Sequence, residues 1–383
     1  MLHVLYFYAP YRSGLTIYAE RLCQELAARG HRVTVLAARH DPALPREERR
    51  DGVRVIRLPV AGSFSRAVIL PTLIPELMRH LRRTRILHLH VPMAEAAILA
   101  AIGRARGKRV IVTHMADLDL NGSRLERIAS AAALGSGVIS GRLAHRVVTN
   151  THDRARVSPL VRRLGRNVSV IAPPIVVASP SPGARDEMRA RHGLGAGPVI
   201  GFVGRMVFEK GIEVLASTIP VVRSQRPEAV FAFAGPTTGP NGTPLTGPWD
   251  TLLGQHPEAV RRLGPLSAQE LADFYAACDV LVLPSVNWTE TFGMVQVEAM
   301  LCGTPVIATD LPGVREPAQR TGMGRIVPAN DVEALAVAIL EVVGERDRYI
   351  KPASEIDRIY SLDATVDAYE ALYRGSVVEP FTR

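Results

Sequence analysis

Strand-length apolar runs alternate with amphipathic helical stretches along this chain, in two separate series. That alternation constrains the fold most, because strand–helix–strand units wind into parallel sheets covered by helices. The first series has apolar runs at 2–8, 32–37, 53–58, 86–90, 110–112, 144–149 and 169–171. Between its first two runs, Ser13-Gly14 leads into a helix with Ile17, Leu22, Leu26 and Ala27 at helical spacing, and Gly30 ends it as a cap. The second series has runs at 199–203, 230–234, 280–283 and 306–308, with helices starting from Gly211, Ser267, Gly293 and Asp331. The proline- and serine-rich stretch PPIVVASPSPGA separates the two and marks a domain boundary. The expected fold is α/β, with two Rossmann-like domains at 1–175 and 176–359, a division that a length of 383 residues favours. In open α/β sheets ligands sit beyond the carboxyl ends of the strands, so the two domains are expected to face each other across a ligand-binding cleft.

Apolar residues make up 47% and charged residues 22% of the sequence, enough for a core in each half, with disorder expected only at the last few residues. Cys23, Cys278 and Cys302 are odd in number, far apart and without CxxC spacing, which argues against a disulfide framework or a zinc site and for a reducing, cytoplasmic setting. The N-terminus MLHVLYFYAP lacks a basic head and a cleavage pattern, and no apolar run is long enough to span a bilayer. The expectation is a soluble protein, at most peripheral on the inner face of a membrane. Charge is divided unevenly: residues 1–180 hold 28 Lys plus Arg against 12 Asp plus Glu, the remainder 18 against 25. A GC-rich genome or an anionic partner would both give a basic first half. Nucleic acid suits that role less well than lipid or phosphate and is not expected as a partner, since no basic stripe with interleaved aromatics and no recognised nucleic-acid module is present.

Chemistry concentrates in the second series. In LVLPSVNWTETFGMVQVEAMLCGTPVIATD (281–310) an apolar strand ends at Pro284-Ser285, and Glu290 stands just before the expected helix start at Gly293. Met294 and Glu298, four apart, share a helix face about 6 Å along the axis, so amides of Gly293, Met294 and Val295 can bind phosphate while Glu298 reaches an attached ribose. In GFVGRMVFEKG (201–211) a strand runs out into Gly204, Arg205 follows, and Lys210 precedes a helix start. Lysine is rare here, at Lys108, Lys210 and Lys351 only, so its choice at 210 suggests that a compact point charge is wanted. Two cations at a strand end suit a diphosphate. The plainer alternatives are solvated surface charges and a glutamate that merely favours a helix start.

The two glutamates separated by seven residues, GR followed by KG, the loop with Gly14, and GHRVTVL at 30–36 together resemble the family 4 retaining glycosyltransferases of the two-domain B-type fold (GT-B), over nearly the whole chain. That resemblance implies that Arg205 and Lys210 bind a donor diphosphate, Glu298 the ribose hydroxyls and Glu290 the donor sugar, with backbone amides of Gly293–Val295 and Gly14 completing the phosphate cradle. It implies contact of His114 with the transferred sugar, of Leu266 with the base, and a last helix within 360–383 that packs back on the first, acceptor-binding domain. The donor would be a UDP- or GDP-sugar, the acceptor a glycan, a lipid or a small molecule, and neither metal nor other cofactor would be needed. Two departures stand out: Ser13-Gly14 where the family often has paired glycines, and PPIVV where it has an asparagine-glycine turn.

Two rival readings remain: a metal-dependent glycosyltransferase using Asp117 and Asp119, and a non-catalytic sugar-nucleotide-binding protein. A basic helix after Pro75, with Leu77, Met78 and Leu81 beside Arg79, Arg82, Arg83 and Arg85, could lie in an anionic membrane interface or pack on the sheet as an ordinary surface helix. The sequons at Asn121 and Asn287 carry no weight without a signal peptide.

Overall fold

A computed structural model describes residues 1–64, 67–117, 124–238 and 244–376. The chain divides into two compact units, Met1–Pro174 with the chain from Leu362 onward, and Ile175–Ser361. Each is an α/β unit built on its own sheet.

In the first unit eight strands run in the order Val168–Val170, Arg146–Thr149, Arg109–His114, Ile86–Val91, Leu2–Val4, Thr34–Ala38, Val53–Leu58 and Glu47–Arg50. All neighbours are parallel except the last pair. Helices cover both faces, which is why the central strands read as continuous apolar runs. Glu47–Arg50, a wholly charged segment, was not expected as a strand. It pairs at the sheet edge with one face exposed, so nothing requires it to be apolar. The first helix, Gly14–Ala28, starts where expected: Ser13 caps it by accepting from the Thr16 amide, and its own amide donates to the Thr16 hydroxyl. The helix Leu73–Leu81 turns Leu73, Leu77 and Leu81 into the core, while Ile74 stays exposed.

The last helix, Leu362–Arg374, packs on this same unit through polar contacts made inside the core. Tyr369 and Tyr373 lie against a cluster of three fully buried histidines, His3, His88 and His90. The Tyr373 hydroxyl meets His88 Nδ1 at 2.7 Å, and Thr113 Oγ1 bridges His88 Nε2 (2.7 Å) to the Tyr369 hydroxyl (2.9 Å), which in turn contacts Tyr18. His3 Nδ1 and His90 Nε2 are 3.1 Å apart. At the surface, Arg29 pairs with Asp363 and Asp367, and His31 with Glu370. A helix from the far end of the sequence is thereby tied to three strands and the first helix.

The second unit has six parallel strands in the order Val260–Gly264, Val230–Ala234, Val199–Val203, Val280–Leu283, Val306–Thr309 and Gly324–Val327. The four inner strands were expected; the two edge strands, carrying arginines, were not. The remaining expected helix starts are in place: Ser267 and Asp331 accept the amides of Glu270 and Ala334 as N-caps.

Burial, and then the charge its neighbours would carry, holds His3 and His88 well below the usual histidine range, and burial pushes His90 down to about 3. The unfolded chain therefore binds more protons than the folded one below about pH 6.5, and stability is lost as pH falls from there, by up to about 1.4 kcal/mol per pH unit for each histidine. Urea unfolding at pH 7.5, 6.5 and 5.5 should show this decline, and His90→Gln should make it shallower; a wild-type stability that is flat over that range contradicts the assignment.

Candidate functional site

Numbered by chain order, the second sheet reads 3-2-1-4-5-6, so its direction of winding reverses between Val199–Val203 and Val280–Leu283. The loops leaving the carboxyl ends of those two strands diverge to opposite faces, and the crevice they leave is where an open α/β sheet binds its ligand. Every diphosphate-binding residue inferred from the sequence in this unit lies on one of these two loops or on the helix that follows.

Backbone contacts join the loops. The Val286 amide donates to the Glu209 carbonyl at 3.2 Å. Gly211, in the left-handed region at φ 68°, lies so close to Pro284 that a Cβ would stand 1.8 Å from its carbonyl oxygen. Only glycine permits that approach. It places Lys210, at the end of the single turn Phe208–Lys210, beside the second loop, where its ammonium is bonded to the Glu290 carboxylate.

Glu290 in turn accepts from the amides of Gly293 at 3.1 Å and Thr291 at 3.3 Å. The carboxylate thus sits at the start of the helix Met294–Leu301, against an N–H group and a cation, the surroundings that suit an anion. Burial pushes its pKa up, but Lys210 and the two amides outweigh burial and hold the carboxyl below its usual range, so it is ionised at neutral pH. Gly293 is left-handed (φ 76°), and a Cβ there would meet Leu283 at 2.3 Å. Buried Gln296, which the sequence reading passed over, fixes this turn by donating to the Phe292 and Val314 carbonyls, each at 2.9 Å. The amides of Met294 and Val295 belong to the first helical turn, ahead of the first intrahelical acceptor.

Arg205 is half-buried on the first loop and forms no ion pair with another described residue. Lys210, Glu290 and Gly293 are therefore brought into direct contact, with Arg205 on the same loop as Lys210. Glu298 is set one turn on from Met294, is 4% exposed, and accepts a hydrogen bond from the Tyr275 hydroxyl at 2.8 Å. Tyr275, on the helix Ala268–Ala277, carried no sequence signal of its own. Leu266 is half-buried between the edge strand Val260–Gly264 and the cap Ser267, two strands from the reversal. Asn287 accepts from the amide and hydroxyl of Thr289 and so shapes the loop.

In the first unit, Gly14 is the first residue of its helix, and no atom lies within 4 Å of where its Cβ would be. His114 ends the strand Arg109–His114 and is 2% exposed. Its Nε2 lies 3.1 Å from Ser158 Oγ and 3.3 Å from Asp117 Oδ1. Asp117 also accepts from Arg154 at 2.8 Å and from Ser158 at 2.9 Å. A carboxylate so occupied is poorly placed to ligate a metal; Asp119 and Asn121 lie outside the described residues. The histidines His3, His88 and His90 have ligating atoms within 4.8 Å of one another. Both His88 nitrogens face hydroxyl groups, and the His88 and His90 rings stack at 4.3 Å, so His88 is engaged in hydrogen bonds.

Comparison with known proteins bears on this arrangement. The family described as "Glycosyl transferase 4-like domain" matches residues 13–202, and that described as "Glycosyl transferases group 1" matches 197–345. A D-inositol 3-phosphate glycosyltransferase of Nocardia farcinica is 30% identical over 88% of this chain and 78% of its own length. The namesake from Rhodococcus erythropolis is 33% identical over 61% of this chain and 54% of its own length, so the chain spans about half of that relative. A GDP-mannose-dependent alpha-(1-6)-phosphatidylinositol monomannoside mannosyltransferase of Mycolicibacterium smegmatis is 28% identical over 91% and 90% of the two chains. Among solved structures, sucrose-phosphate synthase from Thermosynechococcus elongatus superposes with TM-score 0.75 at 22% identity, over 97% of this chain and 98% of that one. An Anabaena protein crystallised with UDP gives 0.72 at 19%, over 98% and 99%. At these identities the two structures show the fold alone.

The geometry makes one prediction about anions. Glu290 competes for Lys210 and the Gly293 amide, so Glu290→Gln should bind inorganic pyrophosphate more tightly, by about tenfold, the worth of one hydrogen bond to a charged group. Titration calorimetry on the wild type and the variant reads this directly; equal or weaker binding by the variant would show that the carboxylate is not in the anion's place.

Proposed function

The chain belongs to the family 4 glycosyltransferases of the two-domain B-type fold, and from that premise we propose that it transfers a sugar from a UDP- or GDP-sugar to an acceptor, with retention of the anomeric configuration and without a metal. The observation that carries this reading is the Lys210–Glu290–Gly293 contact at the reversal of the second sheet, with Arg205 on the same loop as Lys210.

Cleaving the bond between an anomeric carbon and a diphosphate leaves concentrated negative charge on the leaving group. Fixed cations and N–H dipoles aimed at that charge lower the barrier without reorganising. Arg205 and Lys210 are assigned to the diphosphate, with the first amides of the helix Met294–Leu301. Lys210 would exchange its Glu290 partner for phosphate, and the released carboxylate would meet the sugar. Glu298 is assigned to the ribose, Leu266 to the base, and His114 to the transferred sugar, as family resemblance implies. Front-face attack assisted by the departing phosphate needs no enzyme nucleophile, so no covalent sugar should be trapped on Glu290. Metal independence is supported by two protein cations at the leaving group and by the engagement of Asp117 with Arg154 and His114.

Relatives act, by name, on an inositol phosphate and on a phosphatidylinositol mannoside, one with GDP-mannose, and a structural neighbour holds UDP. An acceptor bearing phosphate, free or on a lipid, is in keeping with the basic first half. Contact with an anionic bilayer would run through the exposed Arg79, Arg82, Arg83 and Arg85 and not by apolar insertion, since Leu77 and Leu81 are in the core.

Incubation with UDP- and GDP-sugars and a panel of phosphorylated cyclitols and lipid extracts should give a glycosylated product, undiminished in excess chelator. Arg205→Ala or Lys210→Ala should each lower turnover at saturating donor by about 10²–10³. No transfer from any donor, abolition by chelator, or near-normal turnover in both variants would each defeat part of the proposal: activity, metal independence and the clamp respectively.

A further inference from the structure

The cluster around His114 contains more than the histidine itself. Asp117 is 8% exposed, Arg154 2%, and Ser158 fully buried. The helix His152–Val157 supplies Arg154, its cap Thr151 accepts from the Arg154 amide at 3.0 Å, and Ser158 follows the helix directly. Burial alone would raise the Asp117 pKa, but the hydrogen bond from His114, the Arg154 guanidinium at 2.8 Å and the Ser158 hydroxyl at 2.9 Å outweigh it and hold the group below the usual carboxylate range, so the side chain carries no proton to donate.

That fixes the direction of each hydrogen bond. Ser158 must give its single hydroxyl proton to Asp117 Oδ1, at 2.9 Å. Its oxygen can then only accept from His114 Nε2, at 3.1 Å, and the carboxylate oxygen 3.3 Å from the same nitrogen is likewise an acceptor. Nε2 therefore bears hydrogen. The other ring nitrogen, Nδ1, is buried and has no hydrogen-bond partner among the described residues. A buried ring nitrogen left unpaired is costly, on the order of 1–3 kcal/mol, unless a ligand group completes it.

We propose that Asp117 and Ser158 are positioning residues: they hold the His114 proton on Nε2 and leave Nδ1 as a bare acceptor for a sugar hydroxyl. The inference rests on the assignment of His114 to the transferred sugar, and it adds which nitrogen makes the contact and which residues set it. It also gives Asp117 a role unrelated to metal binding.

Histidine-labelled full-length protein tests this by long-range ¹H–¹⁵N correlation, with the His114 signals identified by their loss in His114→Gln. The wild type should show His114 as the neutral Nε2–H tautomer; the Nδ1–H tautomer, or a doubly protonated ring, would overturn the proposal without any variant. In Asp117→Asn, an amide that keeps its oxygen on Arg154 turns its NH₂ toward Ser158, reverses the Ser158 hydrogen bond and moves the ring proton to Nδ1. That variant should lose about tenfold in kcat, the rate equivalent of one hydrogen bond, with KM for the nucleotide sugar changed by less than about twofold. An Asp117→Asn protein that keeps the Nε2–H tautomer, or that loses kcat and donor affinity together, contradicts a positioning role. Because the tautomer is read without turnover, a chain that transfers no sugar would remove the glycosyl-transfer reading and still leave the proton assignment decided by the spectrum.

Discussion

The approach of Gly211 to the Pro284 carbonyl sets the geometry of the second domain's working edge. The sheet reverses its winding between the strands that precede these two residues, and parallel pairing brings their carboxyl ends side by side. With no Cβ at Gly211, the two outgoing loops can touch, and the Val286–Glu209 hydrogen bond fastens them. Lys210 then reaches Glu290, and Glu290 reaches the Gly293 amide at a helix start. A cation, a carboxylate and a helix N-terminus are thereby held together by backbone geometry.

On the proposed reading, Glu290 stands where a diphosphate would bind. An N–H group and an ammonium ion next to each other repel other cations and demand a negative partner; Glu290 meets that demand from within the chain. A diphosphate would take over Lys210 and free the carboxylate for the sugar, so one residue serves both states. The first domain likewise fixes a polar group through buried hydrogen bonds, around His114. The last helix is secured by yet another such network, in which Tyr369 and Tyr373 meet His88 and Thr113.

Much of this was legible in the sequence. The alternation of apolar runs and amphipathic stretches revealed the inner strands of both sheets, since strands buried on both faces must be apolar throughout. It missed Glu47–Arg50, Val260–Gly264 and Gly324–Val327, all at sheet edges, where one side faces away from the core and arginines are tolerated. Position at a strand's carboxyl end drew attention to the charged residues of these loops, and the structure brings two of them, Lys210 and Glu290, together. Their pairing was not legible: sequence put Glu290 on the sugar, and nothing in its spacing shows a carboxylate resting on Lys210 and the Gly293 amide. Gln296, Tyr275 and Ser158 were passed over because their partners are distant in sequence or are backbone carbonyls. The amphipathic helix at 73–81 was open to two readings, an ordinary helix packed on the sheet or an interfacial one; its leucines lie in the core, as the first requires.

The central claim, that Arg205, Lys210 and the start of the helix Met294–Leu301 neutralise a nucleotide diphosphate, is tested most directly by a crystal structure with UDP or GDP bound. The account predicts the two phosphates between those groups, with Lys210 turned from Glu290 to a phosphate oxygen. Density for the nucleotide elsewhere, or an intact Lys210–Glu290 pair beside a bound diphosphate, would contradict it.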